Sequence, residues 1–128
     1  MKVIISIPAY NEEKTISKII KEIKQVMSKT KYNYKILVLN DGSEDNTVKI
    51  ARKAGAIVYS NSHNLGLAES FKNEIKLFLN IGGDVMVHTD ADGQYKAQDI
   101  PRLIKEIEKG YDLVLGSRFL GGNKHFSF

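Results

Sequence analysis

The chain contains no cysteine. That absence excludes disulfide cross-links, thiolate zinc centres and cysteine nucleophiles, and it agrees with a reducing compartment such as the cytoplasm. Long apolar runs are missing too: nothing approaches the roughly 18 apolar residues that a membrane-spanning helix needs. The apolar start, Val3 to Ile7, is too short for the core of a signal peptide and runs into Pro8. Phosphate loops of the Gly-x-x-x-x-Gly-Lys kind and glycine-rich dinucleotide fingerprints are absent, and no repeat, low-complexity tract or linker divides the chain. His63, His88 and His125 are not spaced as a metal cluster and read as structural, and no Ser, His and Asp arrangement for nucleophilic catalysis can be argued.

What is present is the material of one folded domain. A length of 128 residues with 42% hydrophobic content supplies a single ordinary core, and 27% charged residues give it a soluble exterior. The formal net charge is +4. Many lysines fall early, at Lys14, Lys18, Lys21, Lys24, Lys29, Lys31 and Lys35. Those on the first helix read as its solvated face, with attraction to anionic lipid or nucleic acid as the alternative.

Apolar runs of strand length alternate with stretches of helical period, which predicts an α/β fold: a mostly parallel sheet with helices on both faces. Val3 to Ile7, Ile36 to Leu39, Ile57 to Tyr59, Val85 to Thr89 and Leu113 to Leu115 read as five strands. Asn11 is the expected cap of a first helix whose inner face carries Ile16, Ile19, Ile20, Ile23, Val26 and Met27. A short second helix runs through Ile50 and Ala54 and stops at Gly55. Leu67, Phe71, Ile75 and Phe78 mark a third, and Ile100, Leu103, Ile104 and Ile107 a fourth, closed by Gly110. In such sheets a ligand lies beyond the carboxyl ends of the strands, where the strand order reverses.

The polar residues at those ends carry the chemistry. Asp90-Ala91-Asp92 follows a buried strand, so two carboxylates two residues apart in extended chain can point the same way. They repel unless a cation joins them, and oxygen donors suit Mg²⁺ or Mn²⁺ held together with substrate phosphates; Gln94 can add a neutral oxygen. The alternative is a plain polar turn at Asp90 to Gly93. A calcium loop counted from Asp90 would have Tyr95 at its glycine position and Pro101 at its glutamate position, which argues against one. Asp41 can accept hydrogen bonds from the edge of a base, or serve an Asx turn or, with Ser43, a helix cap. Tyr10 can stack on a base or cover the core, and Glu12 and Glu13 can complement the positive end of their own helix. Gly66 permits close approach of backbone to ligand, and Arg118 offers a guanidinium fork to phosphate oxygens, with an ordinary loop glycine and a surface ion pair as the alternatives.

In order along the chain, Ile7-Pro8-Ala9-Tyr10-Asn11-Glu12-Glu13, Asn40-Asp41-Gly42-Ser43, Asp90-Ala91-Asp92-Gly93-Gln94 and Gly116-Ser117-Arg118-Phe119 resemble the family 2 glycosyltransferases. The resemblance runs nearly the whole chain. Through Asp90 to Gln94, Asp99-Ile100-Pro101 and the Gly-Ser-Arg motif it looks most like the branch that glycosylates dolichyl and other polyprenyl phosphates. It implies a GT-A fold, with the base of a UDP- or GDP-linked sugar held near Pro8, Ala9, Tyr10, Glu12 and Asp41. Asp90, Asp92 and Gln94 would bind metal and diphosphate, and Arg118 would meet the acceptor phosphate or the donor. It further implies a lipid-phosphate acceptor, no nucleic acid, and peripheral contact of the full-length protein with the cytoplasmic face of a membrane.

Two departures stand out. Asn40 occupies a position where the family commonly has a first Asp. The chain also ends soon after Gly121-Gly122-Asn123, ahead of the family's acceptor-binding segment, so residues 1–128 are expected to be the amino-terminal, nucleotide-sugar-binding part, without the catalytic base that some members use. Two other classes compete. A sugar-nucleotide-forming nucleotidyltransferase would want a basic glycine-rich loop where this chain has Pro8-Ala9-Tyr10-Asn11. A non-catalytic nucleotide-binding fragment would share every feature above except turnover.

Overall fold

The computed structural model describes residues 2–61, 67–89, 96–108, 113–115 and 125–126. The first strand, β1 (Lys2–Ala9), is paired in parallel on both edges, by β2 (Asn33–Asp41) and by β4 (Val85–His88). A strand paired on both edges and covered on both faces must be apolar at nearly every position, and Val3, Ile4, Ile5, Ser6 and Ile7 are all fully buried. The strand extends two residues past the predicted end, taking in Pro8 and Ala9. Pro8 is tolerated because its backbone faces the same side as that of Ser6, whose carbonyl accepts the Thr89 N–H at 2.9 Å. Register with β4 ends at the Ser6–His88 pair, so the missing proline N–H breaks no rung of the ladder.

β3 (Ile57–Asn61) pairs with β2, and β5 (Leu113–Leu115) with β4, again in parallel. The sheet order is β3-β2-β1-β4-β5-β6. The sixth strand, β6 (His125–Phe126), is antiparallel and was not among the five predicted; two residues are too few to show an alternating pattern. After β3 the chain returns to the opposite side of β1, so the strand order reverses between β1 and β4.

Among the described residues, three helices cover one face of the sheet. α1 (Ile16–Met27), α2 (Thr47–Lys53) and α4 (Ile100–Glu108) pack Ile16, Ile19, Ile20, Ile23, Met27, Ala51, Ile100, Leu103 and Ile104 against Val3, Ile5, Ile7, Ile36, Val38, Val85 and Val87. Each large side chain so buried contributes about 1.5–3 kcal/mol relative to exposure. α1 starts at Ile16 behind a turn in which the Glu12 carbonyl accepts the Thr15 and Ile16 N–H groups. Asn11 is therefore not its cap, contrary to expectation. α4 is led in by a 3-10 turn, Ala97–Asp99, and the expected closure at Gly110 lies outside the described residues.

α3 (Leu67–Ile81) lies on the other face, where Leu77, Phe78 and Ile81 pack on Ile4, Leu37 and Leu39. The predicted stripe of Leu67, Phe71, Ile75 and Phe78 is rotated from the observed one. Phe71 is exposed, and the inward residues are Glu74, Leu77, Phe78 and Ile81, at helical spacing but with a carboxylate among them. Both α2 and α3 end in a left-handed glycine, Gly55 (φ 102°) and Gly82 (φ 81°). In each case that glycine's N–H and the next one reach back to the last turn, the geometry of a Schellman cap.

Candidate functional site

The loops after β1 and β2 meet at the carboxyl end of the sheet and are joined by five hydrogen bonds. Asn11 adopts φ 51°, a left-handed conformation that asparagine tolerates better than most residues. Its N–H donates to Ser43 Oγ at 2.9 Å, and its Oδ1 accepts the Glu44 N–H at 2.9 Å. Glu12 N–H donates to Thr47 Oγ1 at 2.9 Å, and Glu13 N–H to Asp45 Oδ2 at 3.2 Å. Glu13 Oε2 accepts the Asn46 N–H at 3.1 Å. Glu13 thus serves the start of α2, and the first turn of its own helix holds no acidic residue. The reading of Glu13 as a partner for the dipole of α1 is corrected accordingly.

Asp45 and Thr47 were not singled out in the sequence, although Asp and Thr just ahead of a helical stretch are start signals. Burial works to raise the Asp45 carboxyl, but it is outweighed by the Thr47 hydroxyl, the Thr47 N–H at 3.0 Å and the Glu13 N–H, which together hold it below the ordinary carboxylate range.

At the end of β2 the side chain that closes the turn belongs to Asn40. Its buried side chain accepts the Ser43 N–H at 3.0 Å and donates to Ser60 Oγ at 3.2 Å, while Gly42 takes φ 79°. An amide supplies both the acceptor and the donor that this position uses, which an ionised carboxylate could not. Asp41 is left to another set of partners. Its Oδ1 accepts from Asn61 Nδ2 at 3.2 Å, and Asn61 Oδ1 accepts from Asn73 Nδ2 at 3.3 Å, a chain running from β2 across β3 to α3. Tyr10, just past the end of β1, is 48% exposed, which leaves surface available for stacking on a base. Pro8 and Ala9 form the last residues of that strand, Ala9 buried and Pro8 half-buried.

Beside them β4 ends at His88. His88 Nδ1 lies 2.7 Å from Glu74 Oε2, and the same oxygen accepts the Ser6 hydroxyl. Glu74 is a charged residue that the periodicity of α3 concealed. Gly66, Asp90, Asp92, Gln94 and Arg118 lie outside the described residues. Among the described residues no group of three or more acidic, His or Cys side chains could hold a metal ion, and no helix is long and apolar enough to cross a membrane. A cavity of about 320 Å³ lined by Lys24, Tyr34, Lys35, Ile36, Gly55 and Ile57 lies at the amino ends of β2 and β3, the opposite end of the sheet from these loops.

The family model for glycosyl transferase family 2 matches residues 4–127. The chain is 34% identical over 128 residues to a dolichol-phosphate mannosyltransferase of Pyrococcus furiosus, covering 97% of this chain and 35% of that protein. It is 31% identical over 113 residues to an undecaprenyl-phosphate 4-deoxy-4-formamido-L-arabinose transferase of Pseudomonas fluorescens, covering 86% of this chain and 33% of that one. An uncharacterised Methanocaldococcus jannaschii protein is 36% identical over 125 residues, with 96% and 49% covered. The chain thus spans between about a third and a half of the length of these relatives.

Among solved structures, glucosyl-3-phosphoglycerate synthase from Mycobacterium tuberculosis in complex with UDP matches with a TM-score of 0.71 at 26% identity, covering 85% of this chain and 40% of that one. Its complex with Mn²⁺, UDP and glucosyl-3-phosphoglycerate matches with a TM-score of 0.69 at 25% identity, covering 83% and 39%. On the fold described above and the match over residues 4–127, the chain belongs to glycosyl transferase family 2 and carries its GT-A fold.

Proposed function

We propose that residues 1–128 form the nucleotide-sugar-binding part of a glycosyltransferase that moves a sugar from a UDP- or GDP-linked donor to a polyprenyl phosphate, with inversion at the anomeric carbon. The observation that carries this reading is the bond from Thr89 N–H to the Ser6 carbonyl, 2.9 Å. It fastens the residue just before Asp90 to β1, whose own end leads into Pro8, Ala9, Tyr10 and Glu12, at the point where the strand order reverses.

In this reading the base lies against Pro8, Ala9 and the exposed ring of Tyr10, with Glu12 and Asp41 at its polar edge and Gly66 at its approach. Asp90 and Asp92, with Gln94, are a set of hard oxygen donors, which fits Mg²⁺ or Mn²⁺ and not a softer metal. When bound, such an ion supplies Lewis-acid stabilisation of the charge that develops on the departing diphosphate. Asp90, Asp92 and Gln94 would hold that ion, through which alone carboxylates can meet a diphosphate, and the Arg118 guanidinium would neutralise either the diphosphate or the acceptor phosphate. A phosphate acceptor is already ionised at neutral pH, so no protein base is needed to create the nucleophile. A single displacement then inverts the sugar. The polyprenyl acceptor is favoured by the names of the Pyrococcus and Pseudomonas relatives, and the divalent ion by the Mn²⁺ and UDP in the mycobacterial structure.

The test is calorimetric titration of the chain with UDP and with GDP, each with and without Mn²⁺, beside a screen of nucleotide sugars for metal-dependent thermal stabilisation. Tighter binding of one nucleotide in the presence of Mn²⁺, lost in Asp92→Ala, is the expected result. Binding that ignores both the metal and the substitution would refute the assignment.

A further inference from the structure

Glu74 sits in the middle of α3 and is 1% exposed. Its Oε2 accepts the Ser6 hydroxyl from the centre of β1 and lies 2.7 Å from Nδ1 of His88, the last residue of β4. Ser6 and His88 are register partners in adjacent strands. One carboxylate oxygen therefore spans the two strands between which the sheet order reverses. An oxygen that accepts from both side chains would take the His88 proton at Nδ1, and the contact orients the ring.

Stability alone does not call for this arrangement. The neighbouring inward residues of α3, Leu77, Phe78 and Ile81, pack on Ile4, Leu37 and Leu39. Apolar side chains at Glu74, Ser6 and His88 together would avoid the desolvation of a buried polar cluster, and such whole-group replacements are often neutral or stabilising. What the carboxylate adds is position. Ser6 is engaged twice, its hydroxyl by Glu74 and its carbonyl by the Thr89 N–H at 2.9 Å. Residues 88 and 89 are thereby held through both side chain and backbone, and the next residue in the chain is Asp90.

Resting on the cation site proposed above, we infer that Glu74 is a positioning residue: by clamping Ser6 to His88 it sets how tightly Asp90 and Asp92 take a divalent cation. Donor groups of a metal site must be held to within a fraction of an ångström, and residues behind the donors typically change metal affinity 10–100-fold.

The experiment compares the wild-type chain with Glu74→Leu, Glu74→Gln and Ser6→Ala by calorimetric titration, using UDP or GDP, whichever the wild type binds, alone and with Mn²⁺. Glu74→Leu is expected to leave nucleotide affinity without metal unchanged and to reduce the gain produced by Mn²⁺ by about tenfold or more. Glu74→Gln, which keeps one acceptor oxygen, recovers part of that gain. Ser6→Ala removes a single hydroxyl and provides the reading if Glu74→Leu does not fold; it is expected to lower the Mn²⁺ gain without altering metal-free binding. Retention of the wild-type Mn²⁺ gain in the folded variants would overturn the clamp, as would equal losses with and without metal, which mark a merely structural role. Absence of any Mn²⁺ gain in the wild type would instead overturn the cation site on which the clamp rests.

Discussion

Asn11 and Ser43 belong to different loops and are joined by a 2.9 Å hydrogen bond from the Asn11 N–H to the Ser43 hydroxyl, while the Asn11 side chain accepts from Glu44 at 2.9 Å. One residue in a left-handed conformation thereby couples the ends of β1 and β2. Replacing it separates two contributions. Asn11→Ala loses the side-chain acceptor and gains backbone strain, together about 1–2 kcal/mol of stability. Asn11→Gly removes the strain and loses only the acceptor, so its urea midpoint should fall between those of the wild type and Asn11→Ala.

Gly83 is required by space. A Cβ there would lie 2.5 Å and 2.7 Å from Phe78 ring carbons and 2.6 Å from Ile4. Gly83→Ala must push the end of α3 away from β1, and is expected to cost about 1–3 kcal/mol. The denaturation midpoint should drop with no change in the slope of the urea transition.

Asp45 gives the fold a dependence on acid. Its folded carboxyl is held below its ordinary value by the Thr47 and Glu13 donors, against the opposing effect of burial. A group of this kind stabilises the fold above its unfolded pKa, about 3.9, and that stabilisation is lost as pH falls through the lower folded value. Urea midpoints collected from pH 6 down to pH 2 should fall less steeply below about pH 4 for Asp45→Asn than for the wild type.

Tyr32 works at the other end of the scale. Its hydroxyl donates to Glu108 Oε1 at 2.5 Å, and that bond, then burial and the Glu108 charge, push it above its usual range. The contribution is complete below the unfolded value, about 10, and is lost as pH rises through the folded one. Tyrosinate absorbance should show one phenol titrating late in the wild type, absent in Tyr32→Phe, with Glu108→Gln shifting it back toward the normal range.

Much of the fold was legible in the sequence because burial on both faces leaves long apolar runs. β1, β2 and β4 lie where Val3 to Ile7, Ile36 to Leu39 and Val85 to Thr89 predict them, and the α1 stripe of Ile16, Ile19, Ile20, Ile23 and Met27 is buried as expected. What could not be read depends on partners distant in sequence. Asn11 resembles a helix cap until Ser43 and Glu44 are placed beside it. Glu74 resembles a solvated helical position, and only Ser6, 68 residues away, and His88 disclose that it faces inward. The rotation of the α3 stripe has the same origin, since hydrophobic periodicity cannot register a buried carboxylate. Of the site, Asp41 and Tyr10 are described at the carboxyl end of the sheet as the topology rule requires, whereas Asp90, Asp92, Gln94, Gly66 and Arg118 rest on sequence.

The two sides of the sheet are unequally protected. Three helices press on one side, while on the other, among the described residues, α3 stands alone and leaves Ile57 and Tyr59 of β3 at 40% and 41% exposure. Partial unfolding follows that asymmetry: detachment of α3 uncovers Ile4, Leu37 and Leu39 while the opposite layer stays intact. Amide protons from Leu77 to Ile81 should therefore exchange with deuterium sooner than those from Ile19 to Ile23, a difference that native-state hydrogen exchange reads directly.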